Sequence, residues 1–120
     1  NFFFKKGECK KDIFIDVGPH LRQNSFEVKN DFLINLKKLK FNPDKYISST
    51  KKKLHFDFSL LITDKIMNCG VHNFNISKID TYQNYSDFYS FRYYSKKGIK
   101  NCGRQISLVS IKDNYEVGFR

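Results

Sequence analysis

Apolar and polar residues alternate with a period of two over much of the chain, the pattern expected of strands that bury one face. Ile13, Ile15 and Val17 alternate with Phe14 and Asp16, and Gly18-Pro19 closes that run because proline has no N–H to give to a ladder. Over residues 26–36, Phe26, Val28, Phe32, Ile34 and Leu36 share a face. The clearest alternation spans residues 53–62, where Leu54, Phe56, Phe58, Leu60 and Ile62 oppose His55, Asp57 and Ser59, as in a half-buried antiparallel strand. Shorter runs follow at Phe74 and Ile76, at Tyr89, Phe91 and Tyr93, and at Ile106, Leu108, Val109 and Ile111. Asp113-Asn114 suits a tight hairpin turn, with Tyr115, Val117 and Phe119 pairing back across it.

Residues 30–40 read two ways. Phe32, Leu33, Leu36 and Leu39 would share one face of a short helix near 31–40 with Asn30 as its cap. Alternation that starts upstream at Phe26 favours a strand instead. Short strands at roughly ten-residue spacing, separated by polar turns, predict an all-β fold: a single domain over residues 1–120, an antiparallel β-sandwich, with a small barrel as the second choice. Thirteen Phe and seven Tyr, with no Trp and no Ala, point the same way.

Composition adds a surface property. The formal net charge is +10, and Arg22, Arg92, Arg104 and Arg120 are the only arginines among 22 basic residues. So strong a lysine excess disfavours bidentate recognition of bases and phosphates. Three lysine groups, Lys37, Lys38 and Lys40, then Lys51, Lys52 and Lys53, then Lys96, Lys97 and Lys100, fall at or near turns. Convergence of Lys51, Lys52, Lys53, Lys96, Lys97 and Lys100 on one end of a sandwich would make a contact surface for a protein or an anionic partner, such as a sulfated glycan or acidic lipid head groups. No apolar run approaches the length of a transmembrane segment.

The cysteines sit in an internal echo. Ile66-Met67-Asn68-Cys69-Gly70 recurs as Ile99-Lys100-Asn101-Cys102-Gly103, and Ser77, Asp80 and Tyr82 recur as Ser110, Asp113 and Tyr115. If both segments are strands, Cys69 and Cys102 form the natural disulfide, leaving Cys9 buried or paired with another chain. Such a bridge implies an oxidising compartment. A start at Asn1 reads as a processed or excised form, and Asn75-Ile76-Ser77 and Asn84-Tyr85-Ser86 are glycosylation sequons, with Asn84 the better exposed of the two. Together these place the protein outside the cytosol as a secreted or surface-displayed domain.

Catalytic and metal signals are weak. Cys69 and His72 make half a zinc motif with no matching half, so no metal site and no cofactor is expected. His55 and Asp57 share a strand face, yet no Gly-flanked nucleophile accompanies them. The resulting expectation is a non-enzymatic binding domain. Two alternatives stand beside it. Tyr89 to Lys97 interleaves aromatic and basic residues as single-strand nucleic-acid binders do, and a Phe-rich sandwich could part its sheets around a lipid.

Overall fold

The computed structural model describes residues 9–110. The fold is a mixed α/β arrangement and not a sandwich or barrel. After a short 3-10 turn at Lys10–Asp12, the elements run β1 (Phe14–Val17), a second 3-10 turn (Gln23–Ser25), β2 (Glu27–Val28), α1 (Asn30–Lys38), α2 (Pro43–Tyr46), β3 (Ile47–Thr50), β4 (Lys53–Phe56), α3 (Phe58–Asn68), β5 (Asn73–Ile76) and α4 (Phe91–Lys96). They form two small sheets. One is antiparallel with strand order β2-β4-β3; the other pairs β1 with β5 in parallel, Phe14 opposite Asn73 through Val17 opposite Ile76.

The expected long strand over residues 53–62 ends at Phe56, and the reason is local. The Asp57 carboxylate accepts the Leu60 N–H at 2.9 Å, which caps a helix and turns Phe58–Asn68 into α3. Phe56 and Leu61 then meet in the core from different elements. The strand favoured for residues 30–40 is likewise a helix over Asn30–Lys38, with Asp31 in its first turn and Lys37 and Lys38 in its last. Both placements suit the helix dipole. At residues 89–93 the Ser90 hydroxyl accepts the Tyr93 N–H at 3.3 Å and starts α4 where alternation suggested a strand.

The β3–β4 hairpin turns on Lys51 and Lys52, with φ of 50° and 62°. Two successive positive φ values match the twist of a two-residue hairpin, a geometry usually given to Asn-Gly. Residues 104–110, expected as part of a strand, carry no regular structure, and Ile106, Leu108 and Val109 are exposed. Ile111, the Asp113-Asn114 turn and the strand through Tyr115, Val117 and Phe119 lie outside the described residues.

The core gathers on the antiparallel sheet. Leu36, Tyr46, Phe56 and Leu61 are buried together, packed by Phe26, Val28, Phe32, Phe41, Ile47, Phe58 and Leu60. Phe56 is its aromatic centre, with ring centroids 4.9 Å from Phe32, 5.1 Å from Phe26 and 5.9 Å from Phe58. At the edge of this core the Tyr46 hydroxyl donates to Asp64 Oδ2 at 2.7 Å, and Lys45 Nζ meets the same oxygen at 2.6 Å.

These contacts couple stability to pH. Hydrogen bonding from Lys45, then from Tyr46, holds the Asp64 carboxyl below its ordinary range, while the bond to Asp64 raises Lys45 and also raises Tyr46. The Asp64 contribution is therefore present above the ordinary carboxylate range and is lost as pH falls through its lowered value. The Lys45 contribution is present below the ordinary ammonium range and is lost as pH rises through its raised value. Asp64→Asn is expected to flatten both limbs of a plot of urea midpoint against pH. An unchanged acid limb would remove Asp64 from the account.

Candidate active-site cleft

The parallel pair positions a candidate site. Beyond β1 the chain passes Gly18-Pro19 to His20, and beyond β5 it reaches Asp80-Thr81; the two paths pair again where the His20 N–H donates to the Ile79 carbonyl at 3.4 Å and Thr81 N–H donates to the His20 carbonyl at 3.1 Å. His20 and Thr81 thus stand side by side at the carboxyl ends of two parallel strands. Open α/β sheets bind ligands at that end, where the chain leaves the sheet and side chains are free to converge.

An open cleft of about 330 Å3 lies there, lined by Pro19, His20, Thr81, Tyr89, Phe91 and the loop of Cys102, Gly103, Arg104 and Gln105. Its loop wall is tied to its aromatic wall, since the Tyr89 N–H donates to Gln105 Oε1 at 3.1 Å. Arg104 Nη1 donates to the Cys102 carbonyl at 3.0 Å, which holds the guanidinium against its own loop. Gly103 lies so close under the Tyr89 ring that a Cβ there would overlap ring carbons. Tyr89 and Phe91 are 51% and 70% exposed, so the cleft offers two large aromatic side chains that the core has not consumed.

His20 has a fixed setting. Its Nδ1 is 2.9 Å from the Gly18 carbonyl and its Nε2 is 2.7 Å from Ser59 Oγ. A carbonyl can only accept, so Nδ1 carries the proton, and in the neutral ring Nε2 is left to accept from the Ser59 hydroxyl. Phe58 stands edge-on to the imidazole with centroids 6.0 Å apart. The arrangement is a base with an orienting partner on the opposite nitrogen, as proton-transfer sites require. Behind it Asp80 is buried. Its Oδ1 accepts the Tyr82 and Gln83 N–H groups, while Oδ2 has no partner among the described residues.

The sites expected from sequence are placed elsewhere or differently. Cys69 caps the carboxyl end of α3, whereas Cys102 lines the cleft and its thiol donates to the Gly103 carbonyl at 3.3 Å. Both are free, as is Cys9, so the expected disulfide is corrected. The echo that suggested it is not a structural repeat: Ile66–Gly70 ends a helix with Gly70 at φ +81°, while residues 99–103 form a loop. With the bridge falls the argument from paired cysteines to an extracellular setting.

Lys51, Lys52 and Lys53 sit on the β3–β4 hairpin, and Lys96, Lys97 and Lys100 at and beyond the end of α4; Glu27 lies between the two groups, in contact with Lys53 and lining a groove with Lys96. Lys53 Nζ is 3.4 Å from Glu27 Oε2, and Lys96 Nζ stands 4.9 Å above the Tyr82 ring. Asn75 lies exposed in β5 with its amide donating to Asp16 Oδ1, and the exposed Asn84 donates its amide to the Asp80 carbonyl. His20 and Arg104, the polar centre of the cleft, were passed over in the sequence. The available signal was the Gly-Pro-His that ends the first alternating run.

A base, a guanidinium and two free aromatic rings around an open cleft define an enzyme-like α/β site. The chain belongs to the family described as multi-copper polyphenol oxidoreductase laccase, whose profile matches residues 3–112. No curated protein and no solved structure matches the chain significantly. Membership in a family of oxidoreductases overturns the expectation of a non-enzymatic binding domain and points to an oxidoreductase or a related enzyme.

The family's description implies copper, for which histidine and cysteine are the natural protein ligands. Every histidine and cysteine of the sequence lies among the described residues. His20 has both ring nitrogens engaged, His55 is on β4, and His72 is exposed just before β5. No three His, Cys, Asp or Glu side chains converge as a metal site among the described residues. The donors of this chain do not fit a multi-copper centre.

Proposed function

We propose that this chain forms the substrate cleft of an enzyme acting on planar aromatic compounds that carry a phenolic or carboxylate oxygen. The observation that carries the reading is the convergence of His20, Tyr89, Phe91 and Arg104 at the carboxyl ends of β1 and β5. Tyr89 and Phe91 supply apolar faces on which a flat ring can pack. Arg104 supplies a permanently charged donor for an anionic oxygen. His20 supplies a base: a bound phenol that displaces the Ser59 hydroxyl from Nε2 would deliver its proton to the imidazole, while Gly18 holds the opposite nitrogen in place. The polyphenol named in the family's description is a member of this substrate class.

Caffeate, a planar phenol with a carboxylate, is the probe that tests the reading. Titrated into the full chain and followed by calorimetry, it is expected to bind wild-type protein. Gly103→Val, which pushes a branched side chain into the Tyr89 ring, is expected to weaken binding about tenfold or more, the equivalent of about 1.4 kcal/mol. The urea midpoint of this variant should change little, because Tyr89 is exposed and can swing aside. Equal affinity in both proteins would place the ligand outside the cleft.

A further inference from the structure

A cluster of four tyrosines borders the cleft without lining it. Tyr85 and Tyr93 stack with ring centroids 3.9 Å apart and planes within 6° of parallel. Aromatic pairs in proteins more often sit 4.5–7 Å apart and offset or edge-on, so this is face contact at the near limit. Tyr82 and Tyr94 each meet Tyr93 edge-on, at 6.0 and 5.7 Å. The two stacked rings come from different segments. Tyr85 follows the buried Asp80 turn, and Tyr93 lies on α4 behind the Ser90 cap.

The pair is asymmetric. Tyr85 is 49% exposed and open to a diffusing reagent, while Tyr93 is partly buried. Burial first, and then a hydrogen bond with Tyr85, raise the Tyr93 hydroxyl above the ordinary phenol value. The face-to-face stack brings carbons of the two phenol rings into contact.

We propose that Tyr85 and Tyr93 are an oxidative cross-linking site, joined as dityrosine by phenoxyl radicals. The inference does not depend on the substrate reading, because the radicals can be supplied from outside. Each of two phenoxyl radicals of a small phenol takes one electron and one proton from a tyrosine hydroxyl and returns to the parent phenol. The two tyrosyl radicals couple through ortho carbons, one C–C bond forms, and the two displaced ring protons move to the oxygens to restore both phenols. The protein loses two hydrogens in total. The product is a staple between the Asp80 turn and α4, the segments that carry Thr81 and Phe91 into the cleft wall.

The test treats the dilute 120-residue chain with a haem peroxidase, hydrogen peroxide and a small phenol, followed by trypsin and mass spectrometry. Cleavage after Lys78, Arg92 and Lys96 separates the peptide 79–92, which holds Tyr85, from 93–96, which holds Tyr93. The expected product is these two peptides linked, lighter than their sum by two hydrogens, with dityrosine fluorescence. Uncleaved 79–96 is lighter than that sum by a water and is not confused with it. Tyr85→Phe and Tyr93→Phe, each folded by circular dichroism, are expected to reduce this product to background, and Tyr89→Phe to leave it. Coupling only between separate molecules, or full yield from Tyr85→Phe, would overturn the proposal.

Discussion

Phe56→Ala is expected to lower the unfolding free energy by about 3–5 kcal/mol, the usual cost of emptying an aromatic site in a packed core. Phe56 is 4% exposed and its ring is within 6 Å, centroid to centroid, of Phe26, Phe32 and Phe58. Those neighbours arrive from the residue just before β2, from α1 and from the start of α3, so the cavity would loosen the elements packed on the antiparallel sheet. Domains of this size are stable by only about 5–15 kcal/mol, so the variant should lose a large part of its margin. A shift in urea midpoint at constant slope measures it. Phe14, 65% exposed on β1, provides the contrast, since its replacement by Ala should change stability by no more than about 0.5 kcal/mol. Equal effects at the two positions would mean that the core is not where the burial pattern puts it.

Arg104→Ala carries the largest expected effect on binding. A charge-assisted bond to a carboxylate contributes about 1.5–3 kcal/mol, so affinity for caffeate should fall about tenfold to a hundredfold. Arg104 is exposed and, among the described residues, bonds only to carbonyls of its own loop, Cys102 at 3.0 Å and Gly103 at 3.4 Å. Its removal should therefore leave the fold intact. Arg104→Lys keeps the charge and loses the planar fork, so an intermediate affinity is expected. Binding calorimetry on the three proteins decides the matter. If Arg104→Ala binds as the wild type does, the anionic end of the ligand is held by another group.

The sequence made short alternating strands legible and obscured helices that begin at polar caps. Ile13 to Val17, Lys53 to Phe56 and Asn73 to Ile76 alternate and are strands at or near those positions. Alternation continues through Phe58, Leu60 and Ile62, but the Asp57 cap fixes a helical turn before the pattern can act. Phe58 and Ile62, four residues apart, also share a helix face, and the capping bond decides. The same applies at Ser90, whose hydroxyl starts α4 inside an alternating run. Lysines at Lys51 and Lys52 adopt the left-handed geometry that the hairpin demands without the Asn or Gly that would advertise it.

The cleft was hidden for a different reason. Its two halves follow β1 and β5, which are far apart in the chain and pair in parallel, and no local pattern reports which distant strands adjoin. His20 carries no local signal because its partners, the Gly18 carbonyl and Ser59, are a backbone atom and a residue from α3. Cys102 was singled out for a bridge that the fold does not make, yet it does lie in the cleft wall.

The central claim is that ligand binding belongs to the cleft and not to the lysine-bearing turns, and amide chemical-shift mapping of the full chain during caffeate addition tests it most directly. The account predicts shifts concentrated on His20, Thr81, Tyr89, Phe91 and residues 102–105, saturating together. Shifts centred on Lys51, Lys52 and Lys53 or on Lys96, Lys97 and Lys100, with the cleft unmoved, would contradict it.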